Sequence, residues 1–105
     1  MPWLLLPCLA GRADGAPAAA SVTFWGLLLP AEWSYMLALR SRGLGSSYTT
    51  VHLFGGGEKQ AAEVLGIPFE QYSQGGLLSI AFPKGTDFRP AKRPAVEQIT
   101  HFDRW

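Results

Sequence analysis

Arg40-Ser41-Arg42-Gly43-Leu44-Gly45-Ser46-Ser47-Tyr48-Thr49-Thr50-Val51-His52-Leu53 is the stretch on which the reading of this chain turns. Leu37 to Leu39 before it close an apolar helical segment, and Val51 to Phe54 are again residue types that sit in cores. Between them the chain is small and hydroxyl-rich, so its backbone amides can approach a flat or anionic ligand closely. Gly43 suits the residue just past a helix end, and Arg40 and Arg42 suit the negative end of a helix dipole.

Upstream, the pattern predicts a helix that begins somewhere in Ser21 to Pro30 and runs through Ser41. Pro30 is tolerated in a first turn and kinks a helix interior. Leu29, Trp33, Met36 and Leu37 form a stripe at helical spacing, while Phe24, Trp25 and Tyr35 make the segment apolar on other sides as well. Such a helix belongs between layers or at a subunit interface. On the chain alone, Phe24, Trp25, Trp33 and Tyr35 are expected to form an exposed patch. Before the helix, Trp3 to Leu6 reads as a short buried strand and Gly11 to Ala20 as a loop.

Downstream, Ser47 to Phe54 is β-prone and Gly55-Gly56-Gly57 breaks it. Glu58 to Leu65 reads as a short helix, with Gly66 past its end and Pro68 as a stop. Gln71 to Gly75 reads as a polar loop, and Leu77 to Phe82 as a buried strand ended by Pro83. The expected fold is α+β, a long apolar helix packed on a small sheet. Residues 1–83 form its core part and residues 84–105 an extended basic-proline tail.

Composition narrows the function classes. Of 105 residues, 48% are hydrophobic and 16% charged, as in globular chains. A net charge of +1 gives no electrostatic case for nucleic acid or an anionic membrane. One cysteine, Cys8, allows no internal disulfide. No apolar run approaches the roughly 18 residues of a membrane span. Trp3 to Ala10 followed by Ala16 to Ala20 loosely imitates a secretion signal. However, no basic segment precedes it and Pro2 and Pro7 interrupt it, so a cytoplasmic location is expected.

The familiar catalytic motifs fail on context. Gly43-x-Gly45 follows a helix where a dinucleotide fingerprint follows a strand. The Gly55 triplet lacks P-loop spacing, and no Gly-x-Ser-x-Gly frames Ser46 or Ser47. His52 and His101 with Asp87 or Asp103 can be drawn as a triad, as in almost any small protein. His101-x-Asp103 and a distant cysteine do not make a metal site. No catalytic side chain and no metal ligand is assigned. The basic tail reads from its residue types as a solvated loop. The alternative is a phosphate clamp, with the Arg93 fork and the Lys92 point charge held in extended backbone by Pro90 and Pro94.

In order, Trp3 to Cys8, Arg12 to Ala20, the helix ending Arg40-x-Arg42-Gly-Leu-Gly45, Thr49-Thr50-x-His52-Leu53, Leu65-Gly-Ile-Pro68, Leu77 to Phe82 and Gly85 to Trp105 resemble the C-terminal half of FMN-dependent nitroreductase-family proteins. The resemblance implies a homodimeric α+β sandwich with FMN in the interface. It implies oxidoreductase chemistry, from NADH or NADPH to a nitroaromatic, quinone or similar acceptor. It implies flavin-ring contacts from Gly45, Thr49, Thr50 and Val51, and phosphate contacts from Lys92 and Arg93, with Arg89 assisting. Dimerisation would run through the Ser21–Arg42 helix. Family members begin with a helical region holding an Arg-rich motif, which this sequence lacks, so the chain alone is expected to purify colourless and self-associated. The rival from another class is a non-catalytic protein-interaction module.

Overall fold

The computed structural model describes residues 3–105. In chain order the elements are β1 (Trp3–Leu5), β2 (Cys8–Ala10), α1 (Ala18–Ser41), β3 (Gly45–Thr49), a 3-10 turn (Val51–Gly56), α2 (Gly57–Leu65), β4 (Tyr72–Gln74) and β5 (Leu77–Ala81). A second 3-10 turn, Val96–Gln98, interrupts the extended tail. The strands form two antiparallel sheets, β1-β5-β3 and β2-β4. This is the α+β arrangement expected, a long helix laid on a small sheet.

β5 is central because its residues alternate. Leu78 and Ile80 are buried under α1, while Leu77, Ser79 and Ala81 face the other way and are only half-buried. Leu78 and Ile80 meet Leu39 of α1 in the core, with Leu5, Met36 and Leu44 packed around them. The end of α1 fixes this contact. The Leu44 N–H donates to the Leu39 carbonyl at 3.1 Å across Gly43, whose φ is +76°. That closure brings Leu44 back against Leu39, the apolar contact that accompanies this kind of helix stop.

Five local expectations change. The strand expected to be buried at Trp3 to Leu6 forms at Trp3–Leu5, but Trp3 and Leu4 are exposed. The helix begins at Ala18 after Pro17, earlier than the sequence suggests, and Pro30 lies in its middle. The strand expected over Ser47 to Phe54 lies instead at Gly45–Thr49. Thr49 pairs with Leu77, the first residue of β5, so Thr50 onward has no ladder partner. The Thr50 carbonyl then accepts from the Leu53 N–H at 2.9 Å, and Thr49 Oγ1 accepts from the Val51 N–H at 3.2 Å, which turns the chain into a 3-10 helix. Gln71 to Gly75 is not a loop throughout, because Tyr72–Gln74 pairs with Cys8–Ala10. Finally, of the stripe at Leu29, Trp33, Met36 and Leu37, Met36 alone joins the core. Trp33 and Leu37 are more than half exposed, and the inward face of α1 carries Leu28, Glu32, Met36 and Leu39.

The result is an open molecule. Its accessible surface is 8269 Å², against about 5,800 Å² for a compact monomer of this mass. Its radius of gyration is 17.0 Å, against about 13 Å for a compact domain of this length. Trp33 and Tyr35 are exposed as expected. Phe24 and Trp25 are instead half-buried and packed edge to face at 5.0 Å. Among the described residues, no helix is long and apolar enough to cross a membrane.

Gly57 opens α2 where the chain doubles back on itself, and a Cβ there would collide with the His52 carbonyl oxygen. Backbone cannot swing aside as a side chain can. Gly57→Ala should cost about 1–3 kcal/mol of stability, read as a lowered midpoint in urea unfolding. An unchanged midpoint would show that this turn is not close-packed.

Candidate functional site

Two clefts flank Tyr48, one polar and one apolar, and both include Leu29. The polar cleft, about 370 Å³, lies between the loop after β2, α1, α2 and β4. Its wall is a network centred on Arg12. The guanidinium donates from Nε to Asp14 at 2.7 Å, and from Nη1 and Nη2 to the two Glu58 oxygens at 2.9 and 3.0 Å. Nη1 also reaches the carbonyls of Phe69 and Tyr72, and the group lies 4.2 Å over the Phe69 ring. Glu58 Oε1 in turn accepts the Gln74 N–H at 3.0 Å. The Gln74 side-chain amide donates to the Glu58 carbonyl at 2.8 Å, and its oxygen faces His52 Nε2 at 3.2 Å. Gln74 is thus buried with its polar atoms used.

The charges in this wall are spoken for. The hydrogen bonds it donates, to Asp14 first and Glu58 second, raise the Arg12 pKa, so it stays cationic. Arg12 in turn holds the Asp14 carboxyl below its ordinary value. Burial, then the charge on Glu58, pushes the Cys8 thiol up, so it is no ready nucleophile. Among the described residues, no group of three or more His, Cys, Asp or Glu could hold a metal ion.

The apolar cleft, about 340 Å³, is lined by Leu29, Glu32, Trp33, Met36 and Tyr48. Glu32 is 5% exposed, and neither carboxyl oxygen has a hydrogen-bond partner. Burial raises its pKa. Tyr48 donates its phenol proton to the Gly75 carbonyl at 2.8 Å, and its pKa is raised by burial and then by Glu32. The turn between β4 and β5 fits around both side chains because it has none. A Cβ on Gly75 would strike Glu32 and Leu28, and one on Gly76 would strike the Tyr48 ring.

Gly45, Thr49, Thr50 and Val51 run along β3 and just beyond it, as one continuous segment. β3 is an edge strand, so half of its backbone groups face away from β5. Gly45 also lines a groove with Arg40, Leu44 and Phe88, where the Arg40 guanidinium lies 4.7 Å over the Phe88 ring. Lys92 and Arg93 lie farther along, in the exposed tail. Arg93 makes one long contact, 3.4 Å to the Lys92 carbonyl. Among the described residues, no hydrogen bond or ion pair joins either of them to the β3 segment. The sequence reading missed Arg12, Glu58, Gln74 and Glu32. For Glu32 a signal existed, since it is the one charged residue between Ala18 and Leu39.

Glu32 binds its proton more tightly folded than unfolded. It therefore adds stability below its ordinary value near 4.5 and withdraws it as pH rises through the raised folded value. Glu32→Gln keeps the shape and cannot ionise. It should raise stability at pH 7.5 by about 1–3 kcal/mol, the cost of an unpartnered buried polar group carrying charge, with little gain at pH 4. Thermal melts at the two values check this, and an equal shift at both would contradict it.

No family model matches the sequence, and no curated protein matches it. One solved structure does match the fold, that of a candidate NADH dehydrogenase/NAD(P)H nitroreductase from Parabacteroides distasonis. The alignment covers 99% of this chain and 74% of that one, with a TM-score of 0.65 and 18% identity. At that identity the likeness is one of fold: the chain has a nitroreductase-like α+β fold.

Proposed function

We propose that this chain is a nitroreductase-like oxidoreductase subunit that binds FMN and passes electrons from NADH or NADPH to a nitroaromatic or quinone-type acceptor. The observation that carries the reading is the fold, shared over almost the whole chain with a protein named as an NAD(P)H nitroreductase. The ordered sequence motifs from Arg40 to Trp105 support it independently.

In this reading the flavin ring lies along Gly45, Thr49, Thr50 and Val51, where small residues and an unpaired strand edge let backbone donors reach it. Lys92 and Arg93 hold the phosphate. Arg93 suits an anion because its donor fork is uncommitted apart from one long contact. When bound, the flavin supplies the hydride chemistry. The protein's part is to hold the ring, tune it by hydrogen bonds and keep the face it offers to the acceptor dry.

The tail and the β3 segment come together in this reading through a second copy of the chain, docked on the outer face of α1. The surface excess over a compact monomer, about 2,500 Å² from the scaling above, is what an obligate interface removes. The same exposed face also suits a non-catalytic interaction module, which would bind no flavin.

Titration of the full chain with FMN, followed by flavin fluorescence, separates the two. Arg93→Ala should weaken binding by about 1.5–3 kcal/mol, as for a charge-assisted contact, while Lys84→Ala changes little. Equal losses from the two variants would mean the phosphate is held elsewhere. No FMN binding by the wild-type chain even at a large excess of added FMN would overturn the reductase reading in favour of the interaction module.

A further inference from the structure

Glu32 lies in mid-helix with its carboxyl closed off from water and from any partner. It is the one charged residue between Ala18 and Leu39, it is 5% exposed, and neither buried oxygen has a hydrogen-bond partner. What closes over it is backbone. The Gly75–Gly76 turn comes so near that a Cβ on Gly75 would strike Glu32 Oε1 and Leu28, and one on Gly76 the Tyr48 ring. A leucine of similar size would fill the space under the turn without the desolvation cost.

The two sides of this contact differ in strength. The helix is held in place, because Met36 and Leu39, on the same face as Glu32, are packed with Leu78 and Ile80. The turn has no side chain of its own, and its two glycines restrict the backbone least. Two neutral hydrogen bonds keep it down. The Gly75 N–H donates to the Pro7 carbonyl at 2.9 Å, and the Tyr48 phenol donates to the Gly75 carbonyl at 2.8 Å. A buried carboxylate without a partner costs more than two such bonds return, whereas a protonated carboxyl costs far less. We propose that Glu32 is a pH-sensitive latch: while its carboxyl is protonated the Gly75–Gly76 turn stays closed, and when the proton leaves to solvent the turn lifts and water reaches the carboxylate. Gly75 lines the polar cleft and Tyr48 lines both, so lifting the turn opens a way between the two clefts. The latch is independent of bound flavin.

The pH dependence belongs to Glu32, because the groups around it are neutral or already paired. Tyr48 comes from β3 as a neutral phenol. Pro7, the residues Ser73 and Gln74 before the turn, and Leu77 to Ala81 after it carry no charge. Arg12, Asp14 and Glu58, in the polar cleft, are tied to one another, and His52 faces Gln74. Burial raises the Glu32 pKa, so the closed turn holds the proton more tightly than the open one. Opening therefore becomes easier as pH rises from the ordinary value near 4.5 toward the raised one. For one proton the gain is at most about tenfold per pH unit, and it levels off beyond the raised value.

Amide hydrogen exchange of the full chain, followed by NMR between about pH 5 and 8, is the test. Each rate is divided by that of an unstructured peptide at the same pH, which leaves the protection due to structure. The Gly75 amide reports the turn. The Leu44 amide, bonded to the Leu39 carbonyl beside the core, reports unfolding of the whole molecule. In the wild type, Gly75 protection should fall with rising pH by up to about tenfold per unit and stay below that of Leu44. Glu32→Gln keeps the shape without the ionisation, so its Gly75 protection should not vary with pH. Tyr48→Phe removes one of the two bonds on the turn. It should lower Gly75 protection about three- to tenfold at every pH, the worth of one neutral hydrogen bond, and keep the wild-type slope. Gly75 protection equal to that of Leu44 throughout would mean that the turn opens only with the whole molecule, and would overturn the latch. So would a wild-type profile that does not fall, the same fall in Glu32→Gln, or loss of the slope in Tyr48→Phe.

Discussion

The Arg12–Glu58 pair organises everything around the candidate site. Four segments converge on it: the loop after β2, the first turn of α2, the Phe69 region and β4. None of these packs enough apolar surface to be held by burial alone. Among the described residues, Ala62 is the one buried hydrophobic residue near it, and β2 and β4 are three residues each. The guanidinium fork matches the carboxylate in a bidentate geometry with both side chains about one-fifth exposed, so water screens the pair less than at an open surface. Glu58 then orients Gln74, and Gln74 orients His52. A chain of hydrogen bonds does here what the apolar core does under the C-terminal half of α1.

That division explains why the molecule looks unfinished. One small apolar core, Leu39 with Leu78 and Ile80, holds α1 to the sheet. The outer face of α1, the far face of the β1-β5-β3 sheet and the tail are left uncovered, with Trp33, Leu37, Leu4, Phe82 and Phe102 exposed. A surface of that size is large for a soluble monomer. The proposed second copy on α1 would cover it, and would bring a tail carrying Lys92 and Arg93 toward a β3 edge that it does not reach within one chain.

What the sequence made legible was local. The helix stop at Gly43, the second at Gly66, the α2 span and a strand within Leu77 to Phe82 each follow from neighbours within a few positions. What it hid was set at long range. β4 has no apolar alternation and is a strand because Cys8–Ala10 lies beside it. Val51 to Phe54 has strand composition and is a 3-10 turn because β5 begins at Leu77 and leaves it no partner. Arg12 sits in a stretch that reads as loop, and apart from Asp14 its partners lie 46 to 60 residues away. The apolar stripe of α1 misled for another reason: periodicity marks a face that wants covering, not whether this chain or another covers it. Glu32 was the feature most open to discovery, one acid in an otherwise uncharged run, and apolar periodicity alone gave it no weight.

Sedimentation equilibrium of the purified chain tests the account at its centre, which is that the exposed face of α1 is an interface. A mass of twice the chain at micromolar concentration is the predicted result, reduced toward the single chain when Trp33 and Leu37 are both replaced by Glu. A monodisperse monomer with a cooperative melt, unaffected by those replacements, would contradict it.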